Sequence, residues 1–340
     1  MKPIILLLFS LISCAEKAKV YFTKTITPEK MVEMFQKLNV NLKGNVGLKV
    51  HTGEPNGPYF LRPDFLQKIY EHINGTYIEC NVAYGSPRTH TSSHEEVLTI
   101  NRWDTRKVDI MDANPDEDIP LPLTNYHKID KDYVGGHLNN YDSCLVLSHF
   151  KGHEMGGFGG ALKQLSIGFA SRQGKAWIHT AGVSTNYNET FKKNTSQLDF
   201  TNSMADAASA IVHHFKEKGD IAYINVLVNI SLRCDCAGLG APEPKINNIG
   251  ILSSTDPAAI DRACLDLIKN TKDEGTQKFL DQVQEKLGEN TINKAEALGI
   301  GTTQYELIDI DEKKDGGNGE GTFINFNLSL ILLLILMFVI

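Results

Sequence analysis

Residues 143–163 read SCLVLSHFKGHEMGGFGGALK, and this stretch decides the fold. Its first part, SCLVLSH, is an apolar run of the length of a buried strand. The second part holds two histidines four residues apart and the run GGFGG, and such glycines permit a tight turn or the close approach of another group. The stretch therefore predicts a buried strand that leads into a crowded, polar turn.

Strand-like and helix-like segments alternate on both sides of this stretch. The predicted strands are KVYFT, NVGLKVH, TYIECNVAY, VDIMDA, IAYINVLVNI, NIGIL and QYELIDI. The predicted helices are TPEKMVEMFQKLN, RPDFLQKIYEHING, SSHEEVLTINRW, SMADAASAIVHHFKEKG, DPAAIDRACLDLIKN and KDEGTQKFLDQVQEKLG. Residues 114–132, rich in prolines and acids, predict a surface excursion.

Apolar strands separated by helices favour an α/β fold, with a mostly parallel sheet and helices on both faces. We expect one domain over residues 16–310, built from two closely associated α/β lobes, 16–150 and 151–310. The composition, 41% hydrophobic and 22% charged, is that of a globular protein. A net charge of −7 argues against a nucleic-acid partner, which would require a basic face.

The first residues, MKPIILLLFSLISCA, have the lysine, the apolar core and the small residues of a secretory signal peptide. Residues 1–15 would then be removed by cleavage after Ala15. Alternatively, the residues before Cys14 resemble the box of a bacterial lipoprotein, in which that cysteine carries the lipid. Both interpretations send the chain out of the cytoplasm.

The last residues, 323–340, carry no charge and follow a polar, glycine-rich linker over 311–322. This layout is typical of a signal for a glycolipid anchor, whose tail is removed. The alternative is a retained transmembrane helix at the short edge of the ~20 apolar residues that a span needs. Either one predicts a membrane-attached, extracytoplasmic protein. Of four sequons, those at Asn74, Asn188 and Asn194 further predict a glycoprotein, whereas Asn229 lies in an apolar strand pattern, which favours a chance match.

Polar side chains follow the predicted strands, where open α/β sheets bind their ligands. Arg62 precedes a helix and Arg88 lies in AYGSPRTH, so both are candidates to bind a small anion. His51 and Glu54 of KVHTGEP complete the predicted binding residues, and His90 is a candidate catalytic acid or base. The alternative is a set of turns with solvated charges.

The glycine-rich turn matches neither common phosphate-binding motif. Ala161 and Leu162 separate the last glycine from Lys163, and the glycines miss the dinucleotide spacing. Imidazoles ligate zinc or nickel and serve as general bases. We therefore predict metal ligands at His153, His149 and His179, and catalytic roles for Lys163 and His179.

The segment RCDCAGLG places Cys234, Asp235 and Cys236 after a predicted strand. The two cysteines are too close in sequence to bond comfortably, and no further Cys pair exists to complete a metal site made of cysteines alone. We expect no iron–sulfur cluster. Two further acids, Asp256 and Asp261, belong to the helix motif DPAAIDRACLDL.

Several of these motifs occur in the same order in a known family. KVHTGEP, FLRP, LSHFKGHEMGGFGGALKQLSIGFASRQGK, YINVLVNISLRCDCAG and IGILSSTDPAAIDRACLDL together resemble the family called domain of unknown function 362. Many of its members carry a ferredoxin-like insert after the segment that matches GFASRQGK. This chain has no cysteine there, so the resemblance does not imply a cluster.

A more distant similarity is to lactate racemases that use a nickel-pincer nucleotide. Their glycine-rich turn has a histidine ten residues before a lysine and another histidine sixteen residues after it, as His153, Lys163 and His179 are spaced. The resemblance implies that His153 holds nickel and Lys163 forms the covalent link to the cofactor. His179 would complete the metal site or act as acid or base.

Three interpretations of the function follow. The first is a metal- or pincer-assisted isomerase, or a related oxidoreductase-like enzyme, that acts on a small anionic substrate. The second is a surface ligand-binding protein with the same fold and no catalysis. In the third, the glycines only allow close helix–sheet packing, and the histidines are satisfied in the core.

Overall fold

The structure is a computed structural model that describes residues 17–192 and 194–312. The expected signal peptide, the C-terminal tail and nearly all of the linker before it lie outside these residues. Among the residues that the structure describes, no helix is both long enough and apolar enough to cross a bilayer.

Twelve strands and nine α-helices make up the described chain. The strands are β1 (Ala18–Thr23), β2 (Val46–Lys49), β3 (Thr76–Glu79), β4 (Val108–Ile110), β5 (Ile119–Pro122), β6 (Lys131–Val134), β7 (Ser143–His149), β8 (Lys151–His153), β9 (Gly157–Gly159), β10 (Ile221–Leu227), β11 (Gly250–Ser254) and β12 (Tyr305–Asp309). The helices are α1 (Pro28–Lys37), α2 (Pro63–Ile73), α3 (Thr91–Ile100), α4 (Ala161–Lys163), α5 (Arg172–His179), α6 (Gln197–Lys218), α7 (Pro257–Lys269), α8 (Thr276–Glu285) and α9 (Gly288–Ala297).

Eight strands form one sheet in the order β12-β1-β11-β10-β7-β2-β3-β4. Only β11 runs against the other seven, because it pairs antiparallel with both β1 and β10 while the remaining pairs are parallel. The prediction of a mostly parallel α/β sheet is confirmed. The two predicted lobes share this sheet, since β7 of the first is the neighbour of β10 of the second.

Strand β7 lies at the centre of the sheet, and all seven of its residues are buried. Its side chains alternate between two buried clusters, as the period of a strand requires. Val146 belongs to the cluster that contains Phe215 of α6 and Ile260 of α7, whereas Leu145 belongs to the cluster that contains Met31 of α1. Helices therefore cover both faces, which explains why SCLVLSH contains so few polar residues.

The helix starts follow local sequence signals. The Thr27 side chain accepts the backbone N–H of Lys30, and proline occupies the first turn of α1. Asp256 caps α7 in the same way, by accepting the N–H groups of Ala258 and Ala259. These capped helices fix where the strand-to-helix loops run.

One segment differs from its prediction. Residues 114–132 include β5, which pairs antiparallel with β6 to form a small hairpin. Ile119 and Leu121 alternate with more exposed residues and pack against the main core. The prolines and acids conceal this alternation in the sequence, and the surface excursion that we predicted is a hairpin docked on the domain.

Candidate active site

A cavity of about 250 Å³ lies where β2, β3, β7 and β10 end. Its volume is slightly below the ~300–1,000 Å³ of pockets that hold drug-sized ligands, so it suits a small molecule. The polar residues that line it include His51, Glu79, Arg88, His153, Lys163, Lys175, His179 and Cys236. They come from five separate segments of the chain, at residues 51, 79–88, 153–163, 175–179 and 236.

One side of the cavity is a network of ion pairs, which we call the paired wall: Lys49, Glu54, Glu79 and Arg88. Glu79 accepts from Lys49 Nζ at 2.8 Å through Oε1, and from Arg88 Nη2 at 3.0 Å through Oε2. Burial alone would raise the pKa of Glu79, but the charges of Lys49 and Arg88 outweigh it and hold the pKa well below its usual range. Glu79 is therefore a fixed carboxylate.

The other two nitrogens of the Arg88 guanidinium, Nη1 and Nε, are also hydrogen-bonded. The guanidinium donates to Glu54 Oε1 at 3.2 Å through Nη1, and to His94 Nε2 at 3.1 Å through Nε. The other carboxylate oxygen of Glu54 accepts from the Ser86 hydroxyl at 2.5 Å. Arg88 and Glu54, both predicted to bind substrate, are thus engaged with each other, and Glu54 lies behind the cavity surface.

Lys163 lies on the opposite side. It ends α4 and is followed by a π-helical turn, Gln164–Gly168. The start of α4 is held by Asp261, whose carboxylate accepts the N–H groups of Ala161 at 2.8 Å and Leu162 at 2.9 Å. Within 17–192 and 194–312, the Lys163 amine has no hydrogen-bond or ion-pair partner. Burial, assisted by the charge of Lys151, lowers its pKa from 10.5 to about 7.

His179 ends α5 with its ring in a fixed orientation. Nδ1 donates to the carbonyl of Lys175 at 2.7 Å, so Nε2 of the neutral ring carries a lone pair. The rings of Phe191 and Phe200 lie 5.3 Å and 5.0 Å from it, centroid to centroid. Burial, with a contribution from the nearby charge of Lys163, lowers the pKa of His179 to about 4. At neutral pH it is an uncharged acceptor.

His153 has the opposite proton arrangement. Nδ1 accepts the backbone N–H groups of Gly156 at 2.9 Å and Met155 at 3.3 Å, so the neutral ring carries its proton on Nε2. Burial and the charge of Lys163 hold its pKa well below 6.5. His153 therefore stays neutral and offers a hydrogen-bond donor from Nε2.

His149 is engaged at both ring nitrogens. Nδ1 lies 3.0 Å from each carboxylate oxygen of Asp235, and Nε2 lies 2.6 Å from the carbonyl of Val228. Lys151 pairs with the same carboxylate at 2.8 Å. Each ring nitrogen faces an acceptor of the protein, so neither nitrogen is open to a metal. The hypothesis that His149 is a ligand does not fit this arrangement.

Cys234 and Cys236 form a disulfide, although their separation of two residues predicted that they would not bond comfortably. The chain turns into a short 3₁₀ helix at Asp235, which brings the two Cα atoms to 5.2 Å, inside the usual range for disulfides. In the described part of the chain, the group of three metal-ligand residues with closely spaced donor atoms consists of His153 and these cysteines. Their sulfurs are already bonded to each other, so this group does not offer two thiolates.

His153 does not fit the role of nickel ligand that the similarity to the lactate racemases implies. Both lone-pair positions of His153 are accounted for, one by backbone N–H groups and one by its own proton. His179 Nε2 is a single free imidazole lone pair. It would suit a pincer, which supplies three donor atoms itself, but it does not complete a metal site made of protein ligands alone, which uses three or four. The cavity is also small for a nucleotide together with a substrate. Lys163 and His179 do share the cavity, as the spacing predicted.

The other residues predicted to bind substrate or to act in catalysis do not all lie at the cavity. His51 lines the cavity beside Arg88. Arg62 is exposed, with its guanidinium stacked 4.1 Å from the ring of Phe60 and bonded to the Gly57 carbonyl. His90 is exposed at the start of α3, outside the cavity lining.

The sequence reasoning missed several cavity residues, among them Glu79 and Lys175. Glu79 ends the buried strand β3, and a charged residue there, next to the strand that ends in Lys49, was an available signal. Lys175 lies one helical turn before His179, so the two share a helix face. Its Nζ donates to the carbonyl of Ala170, and it adds a buried positive charge to the cavity.

The comparisons with known proteins identify a family. A family model described as Domain of unknown function (DUF362) matches residues 46–266. No curated protein matches the chain.

Eight solved chains match the structure. One is a structural-genomics protein from Thermotoga maritima, with 16% identity and a TM-score of 0.40. Another is the lactate racemase apoprotein from Thermoanaerobacterium thermosaccharolyticum, with 14% identity and a TM-score of 0.41. The matches cover 70% and 71% of this chain, but only 57% and 55% of those chains.

Proposed function

This chain belongs to the family described as Domain of unknown function (DUF362), and we propose that it is an enzyme that moves a proton on a small anionic substrate. One observation carries the proposal. The cavity contains the unpaired amine of Lys163, with a pKa of about 7, next to two neutral imidazoles that carry their protons in opposite arrangements. An amine with this pKa gives and takes protons near neutral pH.

The charges of the cavity favour an anion. Arg88 is balanced by the carboxylates that it contacts, whereas Lys175 has no carboxylate within ion-pair distance among the described residues. Lys163 adds a further positive charge whenever it is protonated. A small carboxylate therefore gains favourable Coulomb energy in a site that is largely shielded from water.

The chemical step uses groups of this chain. The free amine of Lys163 takes the proton from the carbon next to the carboxylate, and the electron pair of the C–H bond moves towards the substrate oxygens. His153 donates its Nε2 proton as a hydrogen bond to the oxygen where charge develops, as a neutral imidazole can. The Lys163 ammonium then returns a proton to carbon, and His179 Nε2 is a second acceptor for a proton in transit. The reaction class is that of an isomerase.

The test is exchange of the substrate α-proton with solvent. Purified protein is incubated in deuterium oxide with a panel of short 2-hydroxy and 2-amino carboxylates, and loss of the α-proton signal is followed by proton NMR. We expect catalysed exchange for at least one compound and its loss in Lys163→Met. Saturable binding of the same compounds without exchange would instead identify a ligand-binding protein, and absence of both would reject the proposal.

We also propose that the protein is extracytoplasmic and membrane-attached, on the basis of its two terminal segments and its sequons. Asn74, Asn188 and Asn194 are exposed, whereas Asn229 is partly buried. A disulfide at Cys234 is compatible with an oxidising compartment. A mass decrease after glycosidase treatment, together with release from cells by a phospholipase, would support an anchored glycoprotein.

A further inference from the structure

The disulfide between Cys234 and Cys236 lies in the wall of the cavity, beside a histidine. Cys234 is 2% exposed, whereas Cys236 is partly exposed and lines the cavity. One ring nitrogen of His153 lies within 4.8 Å of both sulfurs. A molecule that enters the cavity therefore meets the sulfur of Cys236 first.

This disulfide does little to hold the fold together. It joins residues that are two positions apart, and the stabilisation from a disulfide increases with the length of the loop that it closes. The turn has other anchors, because Asp235 between the two cysteines is bound by His149 and by Lys151. These contacts do not involve the S–S bond, so both sulfurs stay close to each other after the bond opens.

We propose that Cys234 and Cys236 form a redox-active dithiol–disulfide site whose co-reactant is a small dithiol that enters the cavity. The observations behind it are the accessible sulfur, the short loop, the separately anchored turn and the adjacent imidazole. The inference does not rest on the proposed proton-transfer activity, because the reacting groups are two sulfurs and not Lys163. His153 is the one side chain that both proposals use.

The proposed reaction is a thiol–disulfide exchange. A thiolate of the co-reactant attacks Sγ of Cys236, a mixed disulfide forms there, and Sγ of Cys234 leaves as a thiolate that takes a proton from solvent. The second thiolate of the co-reactant then attacks the co-reactant sulfur of the mixed disulfide. This step releases Sγ of Cys236 as a thiolate, which is protonated in turn. Two electrons pass to the protein, which gains two thiols, and the co-reactant becomes a disulfide. The reverse sequence restores the protein disulfide.

His153 has a positioning role in this exchange. A hydrogen bond from a ring N–H to a thiolate stabilises the thiolate without requiring a charged ring. We expect His153→Gln to slow reduction by about fivefold, the size of one hydrogen bond. A purely structural histidine would leave this rate unchanged in a folded variant.

The remaining cysteines of the described chain provide an internal control. Cys80, Cys144 and Cys264 are buried, and burial raises the pKa of each thiol. None of them has the partial exposure of Cys236, so they should resist alkylation until the protein unfolds.

In the experiment, the full chain is purified in air. Without denaturant, it is then treated first with dithiothreitol and afterwards with iodoacetamide. Trypsin releases residues 234–245 as one peptide, which is examined by mass spectrometry. We expect no alkylation of this peptide before dithiothreitol, alkylation at Cys236 after it, and return to the oxidised form with oxidised dithiothreitol. Circular dichroism should stay unchanged throughout.

Two results would overturn the inference. One is a peptide that is already alkylated in the air-purified protein, which would mean that no disulfide forms. The other is a peptide that becomes reducible only in denaturant, since the disulfide would then be structural and inaccessible. In Cys234→Ser, the partly exposed Cys236 should be alkylated without prior reduction, which checks the assignment.

Discussion

The two sides of the cavity handle buried charge in opposite ways. On the paired wall, Lys49, Glu79 and Arg88 neutralise one another through direct contacts of 3.0 Å or less, and Glu79 stays ionised. On the other side, Lys163 has no partner in the described part of the chain, and its pKa falls to about 7. Pairing keeps charges fixed, whereas isolation turns an ordinary amine into a group that titrates near neutral pH.

The comparison predicts that removing Lys163 affects chemistry and not folding. Lys163→Met should lower α-proton exchange by ~10²–10⁴-fold, the usual contribution of a general acid–base group. The free energy of unfolding should not fall, because methionine fills the space without a desolvated amine. NMR exchange and urea denaturation measure the two quantities. Lys272→Met, at an exposed lysine, is the matched control, and an equal loss of exchange there would break the comparison.

The paired wall predicts the reverse pattern. Arg88→Met leaves the carboxylates of Glu54 and Glu79 buried without their shared cation, so the free energy of unfolding should fall by ~3–5 kcal/mol. Urea denaturation measures the loss. Arg106→Met removes an exposed ion pair with Asp104 and should leave stability unchanged. If Arg88→Met is as stable as the control, the ion-pair network does not stabilise the paired wall.

A substitution at Asp261 tests how the start of α4 is stabilised. Asp261→Asn removes one of the two carboxylate oxygens that accept the N–H groups of Ala161 and Leu162. We expect a loss of ~1–3 kcal/mol in the free energy of unfolding, the cost of a buried donor without a partner. Exchange should also fall, because α4 positions Lys163. Asp281→Asn, on the exposed face of α8, serves as control, and a variant that loses neither quantity contradicts the positioning role.

The last prediction is a slope of stability with pH. Between about pH 7 and 10.5, the unfolded chain keeps the Lys163 proton while the folded protein has lost it. The unfolded state therefore binds more protons, and stability should rise with pH by up to ~1.4 kcal/mol per unit in this window. Urea denaturation at several pH values, compared with Lys163→Met, isolates this slope. A slope that is equal in both proteins would show that Lys163 titrates normally.

Much of the fold could be predicted from the sequence. Capping residues and apolar periods gave the positions of α1, α2, α3, α7 and α8 to within a few residues. The single antiparallel strand, β11, could not be predicted, because an apolar run has the same pattern in either direction. The hairpin of β5 and β6 was missed since prolines and acids interrupt its alternation.

The candidate site was predictable in part. The spacing of His153, Lys163 and His179 placed three cavity residues correctly in one place, but nothing in the spacing shows which ring nitrogen carries a proton. That property depends on backbone groups of Met155, Gly156 and Lys175. It is also the property that separates a metal ligand from a hydrogen-bond donor.

The sequence by itself determined the layer architecture, the helix starts and the glycine-rich turn after β7, because these follow from local patterns of apolar, capping and small residues. Only the tertiary structure decided which charges are paired. Arg88 and Lys163 look alike in the sequence as cations after a strand, yet one meets two carboxylates and the other none among the described residues. The difference arises from long-range contacts, and electrostatic energy in a buried site depends on distance and not on separation along the chain.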